Sequence, residues 1–133
     1  MSARVLFDSS ALLAYFKNEP VARSLHPLME RVDKGEVEGL MLVTALMDVF
    51  QEYREGQDGT VAMERVDMIL HSKLHLVDVS LEMIAKAMEF HASSNTSDAC
   101  ITAAAATIFG ADIATARRGE YTSLPVSLAP VDA

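Results

Sequence analysis

The chain has few of the residues from which several common kinds of site are built. It contains one cysteine, Cys100, and no tryptophan among its 133 residues. A single cysteine excludes an internal disulfide bond and a zinc site made of cysteines. No stretch approaches the roughly 18–20 consecutive apolar residues that a membrane-spanning helix needs. The N-terminus also lacks a basic segment followed by an apolar run, so we expect no membrane association and a location in the reducing cytoplasm.

Basic residues are scarce as well. Eleven lysines and arginines stand against 19 aspartates and glutamates, which gives a formal net charge of −8. This charge argues against tight non-specific binding to nucleic acid, because such binding draws on positive charge. It argues less against an enzyme that holds nucleic acid through a metal ion, or through a basic surface formed on dimerisation. It also favours basic partners.

Hydrophobic residues are plentiful, at 50% of the chain. That fraction favours a folded protein over a disordered one, and the length predicts a single domain spanning residues 1–133. Short apolar runs alternate with segments whose apolar residues recur at helical spacing, which predicts an α/β fold with a mostly parallel sheet of four or five strands. The predicted strands are Val5–Phe7, Gly39–Val43, Leu74–Val79 (nearer an edge), Asp112–Thr115 and a short last strand, Val126–Leu128.

Three acidic residues share one position relative to these elements. Asp8 directly follows the first strand, and we expect Ser9 and Ser10 to cap the helix after it. Asp48 is predicted to lie in the first turn of a helix capped by Thr44. The third, which opens an alanine-rich helix, is Asp98.

Two interpretations of these acids are open from their spacing alone. Parallel strands can bring the starts of the following helices together at one edge of the sheet, where ligands bind in folds of this type. Three converging carboxylates would repel one another unless protonated or bound to a cation, and oxygen ligands favour Mg²⁺ or Mn²⁺. Alternatively each acid only stabilises a helix N-terminus, which is worth about 0.3–1 kcal/mol.

Four short motifs resemble those of PIN domains, specifically the VapC-type toxin ribonucleases. The first is an apolar strand, an Asp, a Ser two residues later and a helix ending in an aromatic residue. The second carries Asp48 where a Glu is usual, and the third has Asp98 heading the alanine-rich helix. The fourth is a strand ending in Thr, and all four follow in the family's order. In this chain they read VLFDSSALLAYF, VTALMDVFQEY, TSDACITAAAA and GADIATARRGEY.

The resemblance implies a three-layer α/β/α fold and a definite activity. It implies a metal-dependent endoribonuclease in which Asp8, Asp48 and Asp98 bind Mg²⁺ or Mn²⁺ and a water attacks an RNA phosphodiester. It also implies an antitoxin protein as partner and a homodimer, for which the outer faces of the first helices are the predicted contacts.

This sequence departs from the family pattern at two positions. Asp48 replaces a Glu and is shorter by one methylene group. Arg117 stands where the fourth acid is expected, and a guanidinium cannot bind a cation. Glu120 is a possible substitute or an exposed turn residue, and Arg117 could instead pair with Asp98 or bind an RNA phosphate through two hydrogen bonds. The alternative function is therefore a catalytically degenerate PIN-like domain that binds RNA or protein.

Two further polar residues have family counterparts. Ser10 either orients a ligand or water beside Asp8 or is only a helix cap, and Thr115 is predicted to support the site from behind. We expect the methionines to be core filler at inward helix positions. Structural or surface roles are predicted for the scattered histidines, His26, His71, His75 and His91.

Overall fold

A computed structural model describes residues 3–56, 59–90 and 95–130. Its sheet has four strands in the order β3-β2-β1-β4, and every neighbouring pair is parallel. The predicted central position of the first strand and the edge position of the third are confirmed. The strands are β1 (Arg4–Phe7), β2 (Glu38–Leu42), β3 (His75–Val77) and β4 (Asp112–Ala114).

Helices cover both faces of this sheet. Alternate residues of β1 enter different cores: Val5 and Phe7 pack with the first four helices, whereas Leu6 packs with the sixth helix and the C-terminal segment. The result is the predicted three-layer α/β/α arrangement, with β1 buried on both faces. The helices are α1 (Ser9–Phe16), α2 (Ala22–Asp33), α3 (Val43–Gly56), α4 (Gly59–Leu70), α5 (Leu81–Phe90) and α6 (Ser97–Phe109).

The alanine-rich helix α6 packs closely against the sheet. Ala103, Ala104, Ala105 and Ala106 are each at most 2% exposed. Their small side chains let the helix backbone approach β1 and β4, which it contacts directly. Gly110 then ends the helix in a left-handed conformation, with φ of 63°, and returns the chain to β4.

Two predicted helix starts are wrong. The N-cap of α1 is Asp8 itself, whose side chain accepts a hydrogen bond from the Ala11 amide, so Ser9 and Ser10 lie inside the helix. Helix α3 begins at Val43, so Thr44 does not precede it as a cap and Asp48 lies in its second turn. Strand β2 ends at Leu42, one residue before its predicted end, because its partner β3 has only three residues and the ladder between them stops there.

The predicted last strand is reduced to a single parallel bridge between Leu128 and Ile113. Ile113 donates to the Ser127 carbonyl and accepts from the Ala129 amide. The prolines at positions 125 and 130 flank this segment, and because proline has no amide hydrogen and fixes φ, a longer ladder cannot form.

More methionine side chains are exposed on the surface than the sequence analysis predicts. The prediction that most methionines point inward is wrong, since four of them are between 49% and 68% exposed. His91, one of the four histidines with a predicted structural or surface role, lies outside the described residues. No helix in the described ranges is both long enough and apolar enough to cross a bilayer. The exposed methionines are Met47, Met63, Met68 and Met88.

Candidate active site

A cleft of about 300 Å³ opens at the C-terminal edge of the sheet. The ends of β1 and β2, the starts of α1, α3 and α6 and a short 3₁₀ helix, Arg118–Tyr121, form its walls. All four predicted acids lie along it, although they come from distant parts of the chain. The cleft-lining residues include Asp8, Ser10, Asp48, Asp98, Arg117 and Glu120, and Thr115 is buried behind them.

The Asp8 carboxylate is held by three donors. Its Oδ1 accepts from the Ser10 hydroxyl at 2.6 Å and from the Ala11 amide at 2.9 Å. Its Oδ2 accepts from the Tyr121 hydroxyl at 2.9 Å. Asp8 therefore has one orientation in the cleft, fixed at both of its carboxylate oxygens.

A chain of hydrogen bonds extends from Asp8 into the turn after β4. Ser10 has one hydroxyl hydrogen, which it donates to Asp8, so the 3.1 Å contact between the Ser10 and Thr115 hydroxyls must use the Thr115 hydrogen. Thr115 accepts from the Arg117 amide, and Ser10 also accepts from the Ala116 amide, both at 2.9 Å. Consecutive bonds of this kind polarise and strengthen one another.

The position of Ser10 excludes one of its two interpretations. Ser10 is the second residue of α1 and is buried, so it is not the helix cap. Its hydroxyl instead orients Asp8 and fastens the turn that carries Arg117. Thr115 is fully buried behind the cleft, and its hydroxyl contacts that of Ser10.

Tyr121 is the site residue that the sequence analysis missed. Its ring is buried, and burial is the main cause that raises the pKa of its phenol far above the usual range, followed by the charge of Asp8 and the hydrogen bond to it. The phenol is therefore a permanent hydrogen-bond donor at neutral pH. Its partner lies 113 residues away in sequence, and the only available signal was its place next to Glu120.

Asp48 and Asp98 form the exposed part of the site. Partial loss of water in the cleft is the main cause that raises the pKa of Asp48, and the negative charge of Asp98 raises it further. A hydrogen bond with Ser9 and the charge of Arg117 act in the opposite direction. The charge of Asp98 therefore acts on the Asp48 carboxyl across the cleft.

Arg117 is exposed at the cleft and is close enough to Asp48 for its charge to lower that residue's pKa. Within the described ranges, no carboxylate lies within 4.0 Å of its guanidinium, so the suggested ion pair with Asp98 is not formed. Glu120 lines the same cleft and is half-buried, which is inconsistent with a fully exposed turn residue.

The fit of a metal ion can be judged from these donors. Over the part of the chain that the structure describes, no three acidic, histidine or cysteine side chains are close enough to form a ready-made metal site. The chemistry nevertheless fits a hard cation, because the donors are all oxygens and because Asp48 and Asp98 repel each other without one. A cation would have to draw these carboxylates towards Asp8.

Comparison with known proteins supports the fold. Neither a protein-family model nor a curated protein matches the sequence. Among solved structures, VapBC2 from Rickettsia felis bound to a promoter DNA fragment matches with a TM-score of 0.76 and 13% identity, over 97% of this chain and 99% of that one. DNA-bound VapBC from Salmonella typhimurium matches with a TM-score of 0.73 and 14% identity, over 94% and 95% of the two chains.

A third neighbour is described by its target. VapC20 from Mycobacterium tuberculosis, a toxin that cleaves the sarcin–ricin loop, matches with a TM-score of 0.70 and 11% identity, over 94% of this chain and 98% of that one. At such low identities the likeness concerns the fold. The chain accordingly has the PIN-like three-layer fold of the VapC toxins.

Proposed function

We propose that this protein is a metal-dependent endoribonuclease of the VapC type and the toxin of a toxin–antitoxin pair. The observation that carries the proposal is the convergence of Asp8, Asp48, Asp98 and Glu120 on one cleft. This cleft lies on a fold shared with VapC proteins, one of which is described as a toxin that cleaves the sarcin–ricin loop.

Each cleft residue would have a separate role in metal binding, positioning or substrate binding. Asp8, Asp48 and Asp98 would hold Mg²⁺ or Mn²⁺, with Glu120 as a weaker contact. Such an ion supplies a water of lowered pKa and neutralises charge on the phosphodiester. Ser10 and Tyr121 keep Asp8 in place, and Thr115 supports Ser10. Arg117, with no carboxylate partner within ion-pair distance among the described residues, can hold an RNA phosphate through two hydrogen bonds.

An antitoxin would complete the assembly. Several structural neighbours are VapBC toxin–antitoxin complexes, and a net charge of −8 suits a basic partner better than free RNA. A homodimer is expected by the same analogy. Among the described residues, the strongly exposed large apolar side chains lie on α3, α4, β3 and α5. None lies on the first helices, so apolar burial gives no support there to the predicted dimer contacts.

The second candidate function is a binding module without catalysis. Arg117 favours it, because its fixed positive charge lies near Asp48 and competes with a metal ion for that carboxylate. In that case the cleft would bind RNA or a protein segment and cut nothing.

Cleavage of a mixed RNA substrate by the purified, partner-free protein tests the proposal. Reactions in Mn²⁺, Mg²⁺ and chelator are compared for the native chain, Asp8→Asn and Arg117→Asp. We expect RNA cleavage that requires the metal. The cleavage rate should fall by about 100-fold or more in Asp8→Asn, because losses of this size are usual when a group that stabilises the transition state is removed.

Asp67→Asn is the matched control, since it removes one carboxylate from the exposed face of α4, away from the cleft. It should cut like the native chain. Cleavage only after Arg117→Asp would favour the binding module, and no cleavage by either folded protein would contradict the nuclease proposal.

A further inference from the structure

The Tyr121 hydroxyl is part of the candidate site. A carboxylate offers about four lone-pair positions. Ser10 and Ala11 take the two on Asp8 Oδ1, and Tyr121 takes one of the two on Oδ2. Described protein donors thus fill three of the four positions.

From this arrangement we propose that Tyr121 is a positioning residue for Asp8, leaving a single Oδ2 lone pair for a divalent cation and limiting Asp8 to contact through one oxygen. This inference rests on the proposed metal-dependent function. Without the Tyr121 hydroxyl, Oδ2 has no protein donor among the described residues, and only the two hydrogen bonds to Oδ1 restrain the carboxylate. The cation would then have to fix the position of Oδ2.

The environment of Tyr121 makes this role specific. Its ring is 4% exposed and packs in the core with Leu6, Ile113 and α6. The ring is therefore already fixed by apolar contacts, and the hydroxyl is the part directed at the cleft. Tyr121 is also the last residue of the 3₁₀ helix that carries Glu120, so its side chain links that helix to Asp8.

Mn²⁺ binding, measured by the loss of the free-ion electron paramagnetic resonance signal, tests the inference on the full chain. Tyr121→Phe removes one oxygen and keeps the ring. We expect its Mn²⁺ dissociation constant to rise about 10- to 100-fold, the usual effect of losing a group that orients a metal ligand. Tyr15→Phe is the control, because Tyr15 packs against Phe16 and His26 away from the cleft, and its affinity should equal that of the native chain.

Asp8→Asn separates this inference from the proposed function. If Asp8→Asn abolishes binding while Tyr121→Phe binds like the native chain, the positioning role is wrong and the metal site stands. If the native chain binds no Mn²⁺, or Asp8→Asn binds as well as it does, the proposed metal site fails and the inference fails with it. Unfolding of Tyr121→Phe, detected by circular dichroism, would also overturn the inference, because the hydroxyl would then be required for folding.

Discussion

At the scale of single residues, the carboxylates of the site differ in how well their charges are stabilised. Asp8 is satisfied by three donors, whereas Asp48 is partly desolvated and lies near the charge of Asp98, which a hydrogen bond with Ser9 and the charge of Arg117 offset only in part. An arrangement that stores repulsion is unfavourable for the folded chain by itself. Active sites commonly show this kind of trade-off between stability and function.

The raised pKa of Asp48 leads to a prediction about pH. The folded state holds the Asp48 proton more tightly than the unfolded state, so protonation of Asp48 stabilises the folded protein. This stabilisation is complete below the ordinary pKa of about 4 and is lost as the pH rises through the pKa of Asp48 in the folded state. Asp48→Asn should therefore raise the melting temperature of the metal-free protein at pH 7 by a few degrees, and the gain should shrink as the pH falls towards 4.

Thermal unfolding followed by circular dichroism over this pH range measures the effect. Asp67→Asn changes the net charge equally and should show no such pH-dependent gain, because Asp67 lies exposed on α4, away from the cleft and from Asp98. A lower melting temperature for Asp48→Asn at pH 7 would contradict the explanation.

At the scale of elements, the site depends on how closely α6 approaches the sheet. Ala105 is fully buried and packs in the same core as Leu6 and Ile113. The first turn of this helix carries Asp98. Any displacement of α6 therefore moves Asp98 relative to Asp8.

Ala105→Leu should destabilise the protein by about 1–3 kcal/mol, because a closely packed core cannot accept the added volume without strain. Urea unfolding gives the difference in free energy. Ala85→Leu makes the same change at an exposed position of α5 and should have little effect. Equal midpoints for the two variants would show that α6 is not tightly packed.

At the scale of the whole molecule, net charge and the proposed metal ion would act on stability together. A chain with a charge of −8 repels itself, and a cation held by the folded cleft would reduce that charge. Mn²⁺ at about 100 times its dissociation constant should stabilise the folded state by about 2.7 kcal/mol.

Melting curves with and without Mn²⁺ check this expectation. Asp8→Asn should lose most of the increase, whereas Asp67→Asn should keep it. An equal increase in all three proteins would mean that Mn²⁺ acts on surface charge in general, and the cleft would not be its site.

Much of the fold could be predicted from local sequence. Strand β1 was recognisable because Val5–Phe7 is a short apolar run, and α6 because an alanine-rich stretch follows Asp98. The start of α3 could not be predicted, since the end of β2 depends on the length of its partner β3. The last strand was overestimated because flanking prolines outweigh a favourable Val-Ser-Leu pattern.

The sequence by itself determined the α/β class, the element order and the acids Asp8, Asp48 and Asp98 as candidates, because periodicity and motif order are local properties. Only the tertiary structure decided that Tyr121 donates to Asp8 and that Arg117 forms no ion pair with Asp98. Each of these depends on side chains from distant segments meeting at one edge of the sheet. Distances across such an edge follow from packing, which no local pattern encodes.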